Sequence, residues 1–121
     1  MTKESALATF YNGFQIPAYE ENTVPDNVQF PYITYNVATD SIGATTSLYC
    51  NLWYRSSSWI DCNQKAREIY SAVGSGGIII HCDGGAIWLK ADSPFAQNMS
   101  DPDDDLIRRK YIRLVAEYIT D

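Results

Sequence analysis

Residues Gly76 to Ala91 read GGIIIHCDGGAIWLKA, and no other stretch restricts the fold as strongly. Two short apolar runs, Ile78 to Cys82 and Ala86 to Leu89, flank Asp83-Gly84-Gly85. The reversal between them needs positive φ, which glycine adopts at no steric cost, so Asp-Gly in this setting is a hairpin signal. Both runs are rich in β-branched and aromatic residues, which suit a pleated surface. The stretch predicts an antiparallel hairpin, placed at the centre of a sheet. It specifies fold and almost no chemistry.

The segments on either side predict what packs on that sheet. Leu7, Phe10, Tyr11 and Phe14 fall at i, i+3, i+4 and i+7, one stripe of a helix over Thr2 to Phe14, capped by Thr2 and stopped by Pro17. Ala18 to Gln29 is polar and reads as a loop. A strand follows from Tyr32 to Thr39, with Ile33, Tyr35 and Val37 on one face. Ser47 to Arg55 is a second strand, with Leu48, Cys50 and Leu52 facing one way and Tyr49, Asn51, Trp53 and Arg55 the other.

Ser58 is placed to cap a second helix, whose stripe is Cys62, Ala66, Ile69, Tyr70 and Val73, with Lys65, Arg67 and Glu68 lying away from it. Gly74-Ser75-Gly76-Gly77 ends that helix. Asp92 to Asp105 reads as a long loop. Lys110 to Thr120 is the last strand, with Ile112, Leu114, Ala116 and Tyr118 inward and Tyr111, Arg113, Val115 and Glu117 outward. The expected class is α+β, a single domain over residues 1–121. It has a mainly antiparallel four- to five-stranded sheet with two helices packed on it. Its expected core includes Ile33, Val37, Leu48, Leu52, Ile80, Leu89, Ile112 and Leu114.

Charge and cysteine usage narrow the function classes. Nine Lys and Arg against fifteen Asp and Glu give a net charge of −6. That opposes general nucleic-acid affinity, which needs clustered cations to neutralise phosphates. The three cysteines, Cys50, Cys62 and Cys82, are odd in number and have no CxxC spacing, so a reducing compartment is expected rather than a disulfide framework. No apolar run approaches the ~18 residues of a membrane span, and the first ten residues lack a signal-peptide core.

Each motif with catalytic or binding overtones has a plainer reading. Gly74 to Gly77 closes a helix, whereas a dinucleotide fingerprint opens one, and Ile79 stands where such a motif needs glycine. Asp101, Asp103 and Asp105 match the start of a calcium loop, but Leu106 and Ile112 occupy its glycine and glutamate positions. His81 is the only histidine and is expected half-buried or at an interface. A Cys/His hydrolase would have to pair it with Cys50 or Cys62. No catalytic, cofactor or metal-binding residues are assigned. Tyr49, Trp53, Trp88 and Tyr111 sit on the second face of their strands. Aromatic residues so placed either bury that face within the chain or form a protein interface.

Several motifs carry a family resemblance: FPYITY at 30–35, LWYRSS at 52–57, IIIHCDGGAIWLK at 78–90, SPFAQNMSDPDDDLIRRKYI at 93–112, and the final VAEYIT. From Phe30 to the C-terminus the chain resembles tail-terminator or tail-completion proteins of long-tailed bacteriophages and their prophage relatives. That resemblance implies a structural protein without catalysis. It would form a hexameric ring that caps the tail tube and joins it to the head-neck connector proteins, in a virion assembled in the host bacterial cytoplasm. DNA would pass through the ring without specific binding. A head-side neck or minor capsid protein is the alternative within the same world. For ring contacts, Tyr49, Trp53, Arg55, Tyr111 and Arg113 form one expected patch. The Asp92–Asp105 segment, with Phe95 and Met99, forms the other and is expected to be mobile until assembled.

Overall fold

A computed structural model describes residues 1–121. The chain forms α1 (Lys3–Tyr11), a 3-10 turn (Asn12–Phe14), β1 (Ala18–Glu20), β2 (Tyr32–Tyr35), β3 (Thr45–Arg55), α2 (Ile60–Val73), β4 (Ile78–Cys82), β5 (Gly85–Met99) and β6 (Ile107–Ile119). The fold is α+β, as the order of apolar periodicities predicts. The sheet has six strands, in the order β1-β2-β3-β6-β5-β4. All neighbours are antiparallel except β1 and β2, which run parallel.

The longest ladders, β3 on β6 and β6 on β5, form the middle of the sheet. Inward positions of β6 are Ile112, Leu114, Ala116 and Tyr118, and all four are completely buried. They lie beside Leu48, Cys50 and Leu52 of β3 and Ile87 and Leu89 of β5 on the same face of the sheet. Burying a Leu or Ile side chain completely contributes about 1.5–3 kcal/mol. This inward row is therefore the strongest stabilising feature of the sheet.

Both helices lie on this inward face. Cys62, Ala66, Ile69 and Val73 of α2 and Leu7 and Tyr11 of α1 join the same apolar cluster, and the Tyr11 ring stacks on Tyr35 at 4.5 Å. The Thr2 hydroxyl caps α1 by accepting from the Ser5 N–H at 3.0 Å. Helix α1 touches β1 and β4, the opposite edges of the sheet. Six strands at about 4.8 Å spacing are wider than one helix of about 10–12 Å, so the sheet must curl around α1. One face is thus closed by helices, and the other is convex, with no helix on it and its side chains half-buried among one another.

Several expectations change. The Gly76–Ala91 hairpin forms with the expected turn, and Gly84 takes φ of 82°, but it lies at the sheet edge, not the centre. Its apolar density serves contact with α1, since Ile78, Ile80 and Cys82 are only half-buried. The sheet gains a strand because Ala18–Glu20, within the expected polar loop, pairs beside β2. Three residues carry too short an alternation to register as a strand in sequence. Strand β2 ends at Tyr35, four residues early, and Val37 packs half-buried beyond it.

Lys65, expected on the outer side of α2, is buried. Its Nζ donates to the Phe14 carbonyl at 2.7 Å and pairs with Glu68 at 2.9 Å. Tyr70, expected inward, is 45% exposed. Ser58 caps one residue outside its expected place: Trp59 holds the cap position, and the Ser58 hydroxyl accepts from the Ile60 N–H at 3.1 Å. The largest difference is Asp92–Asp105. Residues up to Met99 belong to β5, carried past Ser93-Pro94 by a register shift between Ala91 and Ala96. Only the acidic turn that follows Met99 is irregular.

Candidate functional site

The convex outer face of the sheet, turned away from both helices, carries a second cluster of aromatic and charged side chains, half-buried except for Thr34 and Asn51, which are buried. Strand alternation puts Tyr32 and Thr34 of β2, Tyr49, Asn51 and Trp53 of β3, and Arg109, Tyr111 and Arg113 of β6 on it. Tyr32 and Trp53 are register partners, and their rings stack at 5.9 Å with an interplanar angle of 10°. The Arg109 guanidinium lies 5.0 Å from the Trp53 ring. Tyr49 and Tyr111 stack at 5.4 Å, and the Arg113 guanidinium sits 5.6 Å from the Tyr111 ring. Lys90 lies 4.1 Å over Trp88 on the same face and pairs with Glu117 at 3.2 Å.

Hydrogen bonds hold these side chains in place. Trp53 Nε1 donates to Thr34 Oγ1 at 2.8 Å, and Arg109 Nε donates to Asn51 Oδ1 at 2.9 Å. The Tyr49 hydroxyl donates to the Glu21 carboxylate at 2.8 and 2.9 Å. That hydrogen bond to an anion is the main reason its pKa rises above the ordinary phenol value. Each aromatic pair contributes about 0.5–1.5 kcal/mol beyond its buried area, and each exposed cation–π contact about 0.5–1. Side chains already fixed in this way lose little rotamer entropy on contact with a partner.

Four of the expected interface residues, Tyr49, Trp53, Tyr111 and Arg113, are therefore brought together. Met99 ends β5 opposite Arg109 in register, at the lower margin of this face. Arg55 ends β3 and is tied to the acidic turn through Asp104 at 2.9 Å. The Leu106 N–H, and after it Arg55, hold the Asp104 carboxyl below its ordinary pKa. Phe95 is separated from the rest. Beyond the register shift it packs edge-on against Tyr70 at 4.9 Å, on the helix side. There it borders a groove of about 510 Å³ lined by Ala66, Tyr70, Phe95, Asn98 and Lys110 among others.

Sequence reasoning missed Asn51, Thr34 and Arg109 as part of the site. Their alternation with Tyr49, Trp53 and Tyr111 was visible, but their pairing depends on strand register across β2, β3 and β6. Periodicity within one strand does not carry that information.

No catalytic grouping forms around His81. It is exposed on the convex side of β4, while Cys50 and Cys62 are buried on the core side. Burial pushes the Cys50 thiol up to about 12 and the Cys62 thiol up to about 11, which leaves little thiolate at neutral pH. His81 is thus not half-buried, while an exposed position is compatible with the expected interface, and the contact that a Cys/His hydrolase needs is missing. No three His, Cys, Asp or Glu side chains converge as metal ligands. Asp101 Oδ1 accepts from the backbone N–H groups of Asp103 and Asp104, so it shapes the turn. No helix is long and apolar enough to cross a membrane. Comparison with known proteins returns no matching family model and no matching curated protein.

Proposed function

We infer that this chain is a tail terminator of a long-tailed bacteriophage or a related prophage: a structural subunit that closes into a ring, caps the tail tube and joins it to the neck. The observation that carries the reading is the helix-free convex sheet face, where stacked aromatic and guanidinium side chains are held ready for a partner. Tyr, Trp and Arg are the residue types enriched where protein interfaces concentrate their binding energy. A sheet closed by helices on one side only, with such residues on the other, suits a subunit completed by its neighbours. The motif resemblance from Phe30 onward supplies the kind of assembly.

A ring requires a heterologous contact, one patch meeting a different patch on the next subunit. The net charge of −6 suits a lumen that lets DNA slide, because like charge repels phosphate. The role is structural, with no catalysis.

The test is electron microscopy of purified tail tubes polymerised with and without this protein. A terminator binds one end of the tubes and limits their length. Binding to a purified head connector with none to tube ends would move the protein to the head side of the neck. Binding to neither would overturn the reading.

A further inference from the structure

The convex face carries two arginines without acidic partners, and a nearby turn carries two aspartates without cationic partners. Arg109 and Arg113 take part in none of the four ion pairs in the chain. Arg113 is the sharper case, because its Nε is buried and has no acceptor. That burial fixes the side chain in the sheet face and leaves the terminal nitrogens, which no acidic group in the chain pairs with, as the part open to a partner. Asp92 on the neighbouring strand directs Oδ1 to the Ser93 N–H at 2.8 Å. Glu21 receives the Tyr49 hydroxyl, and Glu117 pairs with Lys90.

The acidic turn divides its four aspartates into two kinds. Asp101 and Asp104 shape it, through backbone N–H groups and Arg55. Asp103 and Asp105 are exposed, and their carboxylates make no hydrogen bond or ion pair. Two free carboxylates are thus presented on a turn already fixed in shape. In a chain of net charge −6, unpaired acids outside and unpaired arginines on an open face are complementary surfaces of one molecule.

We propose that the seam between subunits is formed by the Asp103 and Asp105 carboxylates of one copy docking on the Arg113–Tyr111–Tyr49 patch of the next. This rests on the ring reading and names the contact within it. The contact is heterologous, since turn meets face, and so it repeats around a ring. A carboxylate meets Arg113 at its terminal guanidinium nitrogens, which are neither buried nor hydrogen-bonded, and forms the bidentate pair that the planar guanidinium favours.

Two variants test the contact, Arg113→Glu and the double change Asp103→Lys with Asp105→Lys. Arg113→Glu gives up the cation–π contact with Tyr111, whereas the aspartate changes are on the exposed turn, so a native circular dichroism spectrum and a cooperative melt establish that each variant is folded. Native mass spectrometry over a concentration series reads assembly. Each variant alone should need at least about tenfold more protein than wild type for the same ring fraction, the usual scale for unpairing a contact of this kind.

An equimolar mixture should recover rings, with the two variants alternating in equal numbers, because every seam then joins a glutamate face to a lysine turn or an arginine face to an aspartate turn. Wild-type-like assembly by either variant alone overturns this seam and leaves the ring reading standing. So does a mixture of two folded variants that fails to recover. If wild type itself forms no ring, free or on tubes, both inferences fall together.

Discussion

Replacing Leu114 by Ala while separately replacing its neighbour Val115 by Ala tests the phase of the central strand. Leu114 is completely buried on β6, between Leu48 of β3 and Ala91 of β5 in register. Truncation removes three carbons, worth about 2.4 kcal/mol of lost transfer free energy at about 0.8 per methylene. The cavity left between two long ladders adds to this, giving about 3–5 kcal/mol in total. Val115 points to the convex face and is half-buried, so its truncation should cost less than about 1 kcal/mol.

Urea denaturation at fixed pH measures both. The midpoint should fall sharply for Leu114→Ala with little change in slope, because a cavity alters stability and not the surface exposed on unfolding. A domain of this size has a total stability of about 5–15 kcal/mol, so the Leu114 variant loses a large fraction of it. A Leu114 cost below about 0.5 kcal/mol, or a Val115 cost that equals it, would refute the inward-outward assignment on which the convex face depends.

Other consequences follow from single residues. Gly85→Ala should destabilise by more than about 1 kcal/mol in thermal melts, since φ is 154° and an added Cβ would press on the Ile119 carbonyl. Lys65→Met should cost about 1–3 kcal/mol by the same assay, because it leaves the Phe14 carbonyl without the ammonium that joins the 3-10 turn to α2. In native protein at pH 8, a thiol reagent should label Cys82 quickly and Cys50 only on unfolding, given the buried thiol of Cys50. Stability should fall as pH rises above about 9. Between the ordinary thiol value of 9.0 and about 12, the unfolded chain releases a proton that folded Cys50 retains, and Tyr118, pushed up to about 12 by burial, acts in the same direction. A flat urea midpoint from pH 8 to 10.5 would contradict this.

The long, regular elements were legible in the sequence, and the reasons are physical. Strand β6 alternates strictly over Ile112 to Tyr118, so its inward face could be read without knowledge of its neighbours. The Asp83-Gly84 turn is a local property and was likewise readable. The position of the hairpin in the sheet was not, because pairing order is set by contacts far apart in the chain. The distal half of β5 was hidden by Ser93-Pro94 and by polar residues, which read as a loop. Pairing with β6 from Ala96 to Met99 overrides that local preference.

For the candidate site, Tyr49, Trp53, Tyr111 and Arg113 were legible as outward residues. Their stacking, and the roles of Asn51, Thr34 and Arg109 in fixing it, required the register. Phe95 was misplaced because the register shift before Ala96 carries it to the helix side, against Tyr70.

The central claim is that the convex face is completed by another copy in a ring. Native mass spectrometry of the wild-type protein, from dilute solution to high concentration and in the presence of tail tubes, tests it most directly. The account predicts monomer at low concentration giving way to hexamer at high concentration or on tubes. A tight two-fold dimer at every concentration, with no ring under any condition, would contradict it.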